Sequence, residues 1–264
     1  MKKSICNSAA LAIAVGLSLG SAHADTCIEL AAVGLTDASL KSVLRTVVPP
    51  AGTPNGGLGG PMWLTLVDGS GMVCVVTNSL DGSAHNADVT ADIWLGSRVI
   101  SAQKANTANA FSTGRLALST ANLYSAVQPG GSLYGLQHSN PVDAQVAYAG
   151  RSADFGTPKD PLVGHRVGGI NVFGGGLALY RNGKKVGAIG VSGDTSCTDH
   201  VVAWKVRAIT SLGGIPDAAG FDAMGQDITP NPYGGTGISA SGFGHPTCLN
   251  NPTPAQAGPA IIGN

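Results

Sequence analysis

Two pairs of short apolar runs stand out along the chain, and a turn sequence joins the members of each pair. The first pair is Trp63 to Val67 and Met72 to Val76, separated by a glycine-containing turn. The second pair is Leu177 to Tyr180 and Val186 to Val191, and Asn182-Gly183 between them suits the two positive-φ positions of a type I′ turn. Such runs are typical of β-hairpins. The sequence therefore predicts two hairpins, whose continuous apolar character indicates burial on both faces.

Helical periodicity is found before, between and after these hairpins. Thr36 is predicted to cap a helix that ends near Val47. A long helix is predicted from about Ile93 to Phe111, and a shorter one over Leu116 to Val127. After the second hairpin, a polar segment offers N-caps for a helix that ends near Leu212. Hairpins separated by helices predict an α+β fold with an antiparallel sheet and not a doubly wound one.

Two segments lack a strong periodicity. Gln128 to Gly174 is a long, glycine-rich connection, which we expect to be functional, stabilised by subunit contacts, or partly ordered in short elements. Residues 213–264 are rich in Gly, Pro, Ser and Asn and are predicted to form an extended tail. The 264 residues, of which 43% are hydrophobic, suffice for one sizeable core, which we place in residues 25–212.

Residues 1–24 have the pattern of a secretory signal peptide. Lys2-Lys3 precedes an apolar run from Ala9 to Leu19, and Ala22-His23-Ala24 forms a small-residue cleavage site. The apolar run is too short for a confident membrane span. Cleavage would leave 13 basic and 15 acidic residues, a net charge of about −2, which argues against nucleic-acid binding. We therefore expect a periplasmic or secreted protein.

The cysteine count agrees with export. The mature chain would keep Cys27, Cys74, Cys197 and Cys248. An even number in an exported protein favours disulfides, and four cysteines allow three pairings. We favour Cys27 with Cys74 and Cys197 with Cys248, because each bond would fasten a terminal segment to the core. The alternative is a metal site that uses Cys197 and His200, three residues apart on one helix face.

Three motifs, in order, resemble the GlcG/HbpS-like haem-binding family, a DUF336-type domain. The second hairpin begins at Gly174 and reads GGGLALYRNGKKVGAIGVSGD, and Asp199 matches the acidic helix-start position that follows. The block from Lys104 to Phe111 resembles the family's KAxTAxxF helix, and Trp63 to Val76 resembles its first hairpin. The resemblance spans roughly Trp63 to Leu212.

This resemblance implies a profilin-like or PAS-like antiparallel sheet of about five strands with packed helices, usually in an oligomer. It also implies that haem, or another flat ligand, binds in a shallow, apolar, glycine-lined site. We predict that the site is formed by Lys104, Thr107, Phe111, His165, Arg166, Gly190, Ser192, Gly193, Asp199 and His200.

Histidine is the commonest ligand of haem iron in globins and peroxidases, so the five histidines after residue 24 are candidates. His200 ranks first because it lies in the resembling block beside Asp199. The family does not regularly place histidine there, so the resemblance supports Asp199 and not His200. His165 ranks second, because the neighbouring Arg166 would meet a carboxylate or propionate. No Cys-x-x-Cys-His motif for covalent haem attachment is present.

Two further motifs have simpler interpretations. Gly187, Gly190 and Gly193 precede a helix, but the nucleotide-binding fingerprints are absent, and packing explains glycine in a strand better. Ser192 only loosely resembles a nucleophile elbow, because Asp194 stands where that motif needs glycine, and a capping role explains it better.

The leading hypothesis is an exported, oligomeric haem-binding protein with a role in haem sequestration, redox sensing or haem degradation. The residues favour binding over catalysis. The alternative is a PAS-like sensory module without haem, which recognises a small organic acid through Arg166 and the junction from Ser192 to Asp194. A third hypothesis is a structural oligomer whose long connection and tail serve assembly alone.

Overall fold

The computed structural model describes residues 24–48, 57–80, 89–213 and 243–245. Its centre is a four-stranded antiparallel sheet with the strand order β2-β1-β4-β3. The strands are β1 (Trp63–Asp68), β2 (Val73–Asn78), β3 (Gly176–Arg181) and β4 (Lys184–Ser192). Both predicted hairpins are confirmed, and Asn182 and Gly183 have φ values of 51° and 72°, as a type I′ turn requires. The α+β prediction is therefore also confirmed.

Seven α-helices surround the sheet in the described part of the chain. They are α1 (Ala24–Ala32), α2 (Asp37–Val47), α3 (Val89–Asp92), α4 (Gly96–Ala110), α5 (Leu123–Ala126), α6 (Ala144–Ala147) and α7 (Ser196–Ile209). The predicted cap of α2 is confirmed, since Thr36 and Ser39 form a reciprocal capping box. Thr195 caps α7 by accepting a hydrogen bond from the Thr198 N–H. None of the helices described is long and apolar enough to cross a membrane.

The helices of the structure differ from the predicted ones in three respects. The long helix begins at Gly96 and not at Ile93, and α1 was not predicted. The helix predicted over Leu116 to Val127 is wrong except for α5. Hydroxyl groups explain this difference, because Ser112 Oγ accepts from the Leu118 N–H, and Ser119 pairs with the Asn122 side chain. Such local bonds satisfy the backbone outside a helix and compete with helix formation.

Helices cover both faces of the sheet. Leu64 and Leu66 of β1 join the core formed with α2 and α7, whereas Trp63 and Val67 point to the opposite core, beneath α4. All six residues of β1 are buried, which confirms the prediction of burial on both faces. The connection from 128 to 174 contains α6 and a 3₁₀ turn at Ser152–Asp154, so it is partly ordered in short elements.

A disulfide joins Cys27 of α1 to Cys74 of β2, as predicted, with 5.4 Å between the Cα atoms. Cys197 is also disulfide-bonded, while its predicted partner, Cys248, lies outside the described residues. The thiol of Cys197 is therefore not available for a metal site with His200, and that alternative is wrong. Residues 1–23 of the predicted signal peptide and most of the predicted tail also lie outside the described residues.

Candidate functional site

Helix α4 packs directly on the glycine-rich strand β4. A Cβ at Gly190 would overlap the Ser101 carbonyl oxygen and lie 2.5 Å from the backbone nitrogen of Ala105. Glycine at this position therefore allows the helix to approach the strand closely. Beside this contact, the hydroxyl oxygens of Thr65 and Ser101 are 2.7 Å apart. Gly190 thus has a packing role in the sheet.

Lys104 and Asp199 form a buried ion pair between α4 and α7. Lys104 Nζ lies 2.7 Å from the Asp199 carboxylate and donates a second hydrogen bond to the Val191 carbonyl oxygen. The ammonium group also lies 5.1 Å from the centre of the Phe173 ring. Both charged groups are excluded from solvent. The pair therefore ties the two helices to the end of β4.

Burial opposes ionisation of both partners. It raises the pKa of Asp199 to about 6, while the charge of Lys104 and two hydrogen bonds act in the other direction. Burial likewise lowers the pKa of Lys104, against the attraction of the carboxylate. At 2.7 Å the pair is ionic at neutral pH, since each charge compensates for the lost hydration of the other.

The pair is connected to the loop that leads into β1. The other oxygen of Asp199 accepts a hydrogen bond from the Asp194 N–H at 2.9 Å. The Asp194 carboxylate in turn accepts hydrogen bonds from three consecutive N–H groups, those of Leu58, Gly59 and Gly60. A chain of polar contacts thus runs from α4 through α7 to residues 58–60.

His200, the first-ranked iron ligand, is buried one turn into α7. Its Nδ1 accepts a hydrogen bond of 3.4 Å from the Gly175 N–H. Its ring centre lies 6.2 Å from that of Trp204. The side chain is thus held between β3 and α7, close to the Lys104–Asp199 pair, and its role as an iron ligand stays a prediction.

Thr107 lies farther along α4, and Phe111 is the C-cap residue that follows its last turn. Thr107 Oγ1 donates to the Gln103 carbonyl and accepts a hydrogen bond from the Asn171 N–H. Phe111 packs against a small apolar cluster that includes Leu123. Both side chains therefore attach other segments to the helix.

His165 and Arg166 lie elsewhere, beside the turn between β1 and β2. Arg166 Nε donates to the Ser70 carbonyl oxygen at 2.9 Å, and the His165 carbonyl oxygen accepts from the Val73 N–H. Both residues are exposed. The structure thus gathers six predicted residues at the strand-to-helix junction and leaves these two at the opposite end of the hairpin. The six are Lys104, Gly190, Ser192, Gly193, Asp199 and His200.

An open groove of about 470 Å³, lined by polar and apolar atoms alike, lies next to this junction. One wall is the 58–61 loop, which Asp194 holds, and the other wall is α3 and the residues that follow it. The lining residues are Leu58, Gly60, Pro61, Ala91, Asp92, Ile93, Trp94, Leu95 and Gly193. Trp94 is 58% exposed although it is large and apolar. Gly193 joins the groove to the predicted site.

Sequence reasoning missed most of this groove. The helical pattern placed Trp94 within the long helix predicted from Ile93, whereas the helix begins only at Gly96. The Trp94 carbonyl oxygen accepts a hydrogen bond from Trp63 Nε1, which fixes the backbone and leaves the Trp94 ring at the surface. The sequence feature that could have indicated the groove is the pair of adjacent apolar residues Trp94 and Leu95, which follows a polar stretch.

Comparisons with known proteins agree with the motif pattern. A family model described as "Haem degrading protein HbpS-like" matches residues 61–208. An uncharacterised 15.0 kDa protein from the dhaT-dhaS intergenic region of Citrobacter freundii is 36% identical over 112 residues. That match covers 42% of this chain and only 57% of the Citrobacter protein.

Two solved structures are also similar to the chain. The Klebsiella pneumoniae protein ORFY, of the DUF336 family, is 25% identical with a TM-score of 0.43, over 68% of this chain and 88% of that one. The chain in the PduOC:haem complex is 24% identical with a TM-score of 0.42, over 65% of this chain and 90% of that one.

Proposed function

The chain belongs to the HbpS-like family of haem-degrading proteins, whose model matches more than half of its length, and we propose that it binds haem. The observation that carries this proposal is the position of the match. Residues 61–208 include both hairpins, α4 and nearly all of α7, and therefore the whole strand-to-helix junction and most of the groove beside it. Haem binding is thus the function that this part of the chain supports best.

This groove is the haem site that we propose. Its volume of about 470 Å³ lies within the range of roughly 300–1,000 Å³ common for ligand pockets. The exposed Trp94 ring offers a flat surface for stacking, and Leu58 and Leu95 add apolar contacts on either side. None of the described lining residues carries an imidazole, so these residues supply no histidine ligand for the haem iron.

The proposal includes export and self-association. The signal-peptide pattern at the start of the sequence and the Cys27–Cys74 disulfide support a periplasmic or secreted protein. A homo-oligomer is supported by the long connection between α4 and β3, which keeps large residues such as Tyr134 and Tyr148 at the surface. Size-exclusion chromatography with light scattering would measure the assembly.

Hemin titration, followed by the Soret band, tests haem binding. We expect a saturable band with the purified full chain and at least tenfold weaker binding with Trp94→Ala, which corresponds to about 1.4 kcal/mol. Tyr148→Ala is the matched control, since Tyr148 is an exposed aromatic residue, 70% exposed, that does not line the groove. Absence of a Soret band would refute the function. A band that Trp94→Ala leaves unchanged would refute only the placement.

The family description also names haem degradation, and the same complex tests it. A reductant such as ascorbate would be added in air to the haem-bound protein. Loss of the Soret band with release of free iron would show degradation, whereas a stable band would show binding alone. Catalase in the reaction would separate a protein-directed reaction from attack by free peroxide.

A further inference from the structure

The Cys27–Cys74 disulfide lies beside a buried carboxylate. Cys27 belongs to α1, Cys74 to β2, and Asp68 is the last residue of β1. The two Sγ atoms and a carboxylate oxygen of Asp68 all lie within 4.8 Å of one another. Three side chains from three elements therefore converge on one point. The carboxylate binds metals as it stands, and the two sulfur atoms would do so as thiolates after reduction.

Asp68 is fixed in place and has no cationic partner in the described part of the chain. Its Oδ1 accepts hydrogen bonds from the Ser70 N–H at 2.8 Å, the Ser70 hydroxyl at 2.7 Å and the Met72 N–H at 3.0 Å. Its Oδ2 accepts one from the Thr26 hydroxyl. Although burial opposes ionisation, these hydrogen bonds hold the pKa of Asp68 below its usual value. Among the residues that the structure describes, the carboxylate is thus a buried anion without an ion pair.

We propose that this disulfide is the oxidised form of a divalent metal site, in which Cys27, Cys74 and Asp68 bind Zn²⁺ after reduction. A small dithiol supplies the two electrons and two protons that convert the disulfide to two thiols, and it becomes a disulfide itself. On metal binding, both thiols lose their protons to solvent and bind as thiolates. Asp68 Oδ2 is the third ligand and water the fourth.

The chemistry of these ligands fits zinc. Two thiolates and one carboxylate are ligands that Zn²⁺ accepts, and three protein ligands with one water are the usual set of an open zinc site. The hydrogen bonds to Oδ1 orient the carboxylate, as outer partners do in known metal sites. Oδ2 accepts a hydrogen bond from the Thr26 hydroxyl and keeps a second lone pair for a metal ion. Reduction without a metal would leave two thiols beside an uncompensated carboxylate, so a cation would stabilise the reduced form.

The same position has an access route. A recess of about 220 Å³ is lined by Cys27 and Cys74 together with apolar residues such as Leu35 and Pro158. Both cysteines are only partly buried. A small dithiol reductant, the metal ion and the water ligand can therefore reach the sulfur atoms from this side.

Cobalt(II) is the probe for the test, because thiolate coordination gives Co²⁺ an intense charge-transfer absorption. The full chain would be reduced with a dithiol, freed of reductant without oxygen and titrated with Co²⁺. The oxidised protein is one control. The reduced double variant Cys27→Ser/Cys74→Ser is the other, since any binding that it retains belongs to the remaining cysteines.

We expect the reduced protein to bind one Co²⁺ more than either control, with a thiolate absorption band that Zn²⁺ displaces. Asp68→Asn, which retains an oxygen acceptor, is expected to weaken Co²⁺ binding by about tenfold or more. Losses of this size are typical when a group that supports a metal site is replaced. Equal binding by the reduced protein and the double variant would overturn the proposal. Loss of the near-ultraviolet circular dichroism on reduction, unrestored by Co²⁺, would overturn it as well. None of these outcomes depends on haem binding.

Discussion

The ammonium group of Lys104 lies 2.7 Å from the carboxylate of Asp199, although the two residues are 95 positions apart in the chain. Both side chains are buried, and Asp199 also accepts the Asp194 N–H. The pair therefore connects α4 to the junction between β4 and α7, which forms part of the groove. The resemblance assigns Lys104 and Asp199 to a ligand pocket, but in this structure the two side chains bind each other and hold these elements together.

Removal of one partner is expected to destabilise the protein strongly. Lys104→Met would leave an unpaired carboxylate in a buried position, which typically costs about 3–5 kcal/mol. Lys104→Met/Asp199→Asn should recover part of this loss, because the amide keeps an acceptor for the Asp194 N–H and carries no charge. Urea denaturation of the two single variants and the double variant gives the coupling energy. Strictly additive losses would contradict a direct interaction.

The loss of unfolding free energy caused by Lys104→Met should depend on pH. Burial raises the pKa of Asp199 from 3.8 to about 6 in the folded protein, so the folded state holds the proton more tightly than the unfolded state. The resulting stability is present below about pH 4 and is lost as the pH rises through the folded-state pKa. Without Lys104 that pKa rises further. The difference in unfolding free energy between Lys104→Met and wild type should therefore become smaller as the pH falls from about 7 to 5. A difference that stays constant over this range would refute the role of Asp199 ionisation.

Gly190→Ala is expected to disturb the packing of α4 on β4. Its Cβ would overlap backbone atoms of the helix, which cannot move as a side-chain end can. Overpacking of this kind costs about 1–3 kcal/mol or more. Gly96→Ala is the matched control, because a Cβ there meets nothing within 4 Å and favours the helix. Thermal denaturation of both variants would show a lower midpoint for Gly190→Ala alone.

Arg98 is expected to hold the long connection against α4. Its guanidinium binds both oxygens of Asp160, donates to the Ala147 carbonyl oxygen, and lies 3.8 Å from the centre of the Phe155 ring. Arg98→Lys keeps the charge but loses the two-pronged contact. We expect a loss of about 3 kcal/mol and faster amide hydrogen exchange within residues 147–162, with β3 little changed. Unchanged exchange there would contradict this role.

Asp194 is expected to affect hemin affinity without lining the groove. Its carboxylate holds the N–H groups of residues 58–60, which form one wall. Asp194→Ala should therefore weaken hemin binding severalfold while leaving the absorption spectrum of the bound haem unchanged. Asp194→Asn, which keeps one acceptor oxygen, should weaken it less. Equal affinities for all three proteins would show that the wall does not contribute to the haem site.

Elements with a strong local signal could be predicted from the sequence alone. Two apolar runs around Asn182-Gly183 can form little other than a hairpin, since that dipeptide favours the positive φ values that the turn requires. Thr36 predicted its helix because a hydroxyl at that position satisfies a free N–H. The motifs from Trp63 onward also identified the family that the later comparison found.

The pairing and the exposure of the candidate site residues depend on the tertiary structure. Lys104 and Asp199 neutralise each other across 95 residues, and no local pattern encodes such a pairing. Trp94 is exposed because α4 starts two residues later and Trp63 Nε1 holds its carbonyl, a contact that sequence spacing does not predict. Local propensities are read from neighbouring residues, whereas burial depends on how separate elements pack.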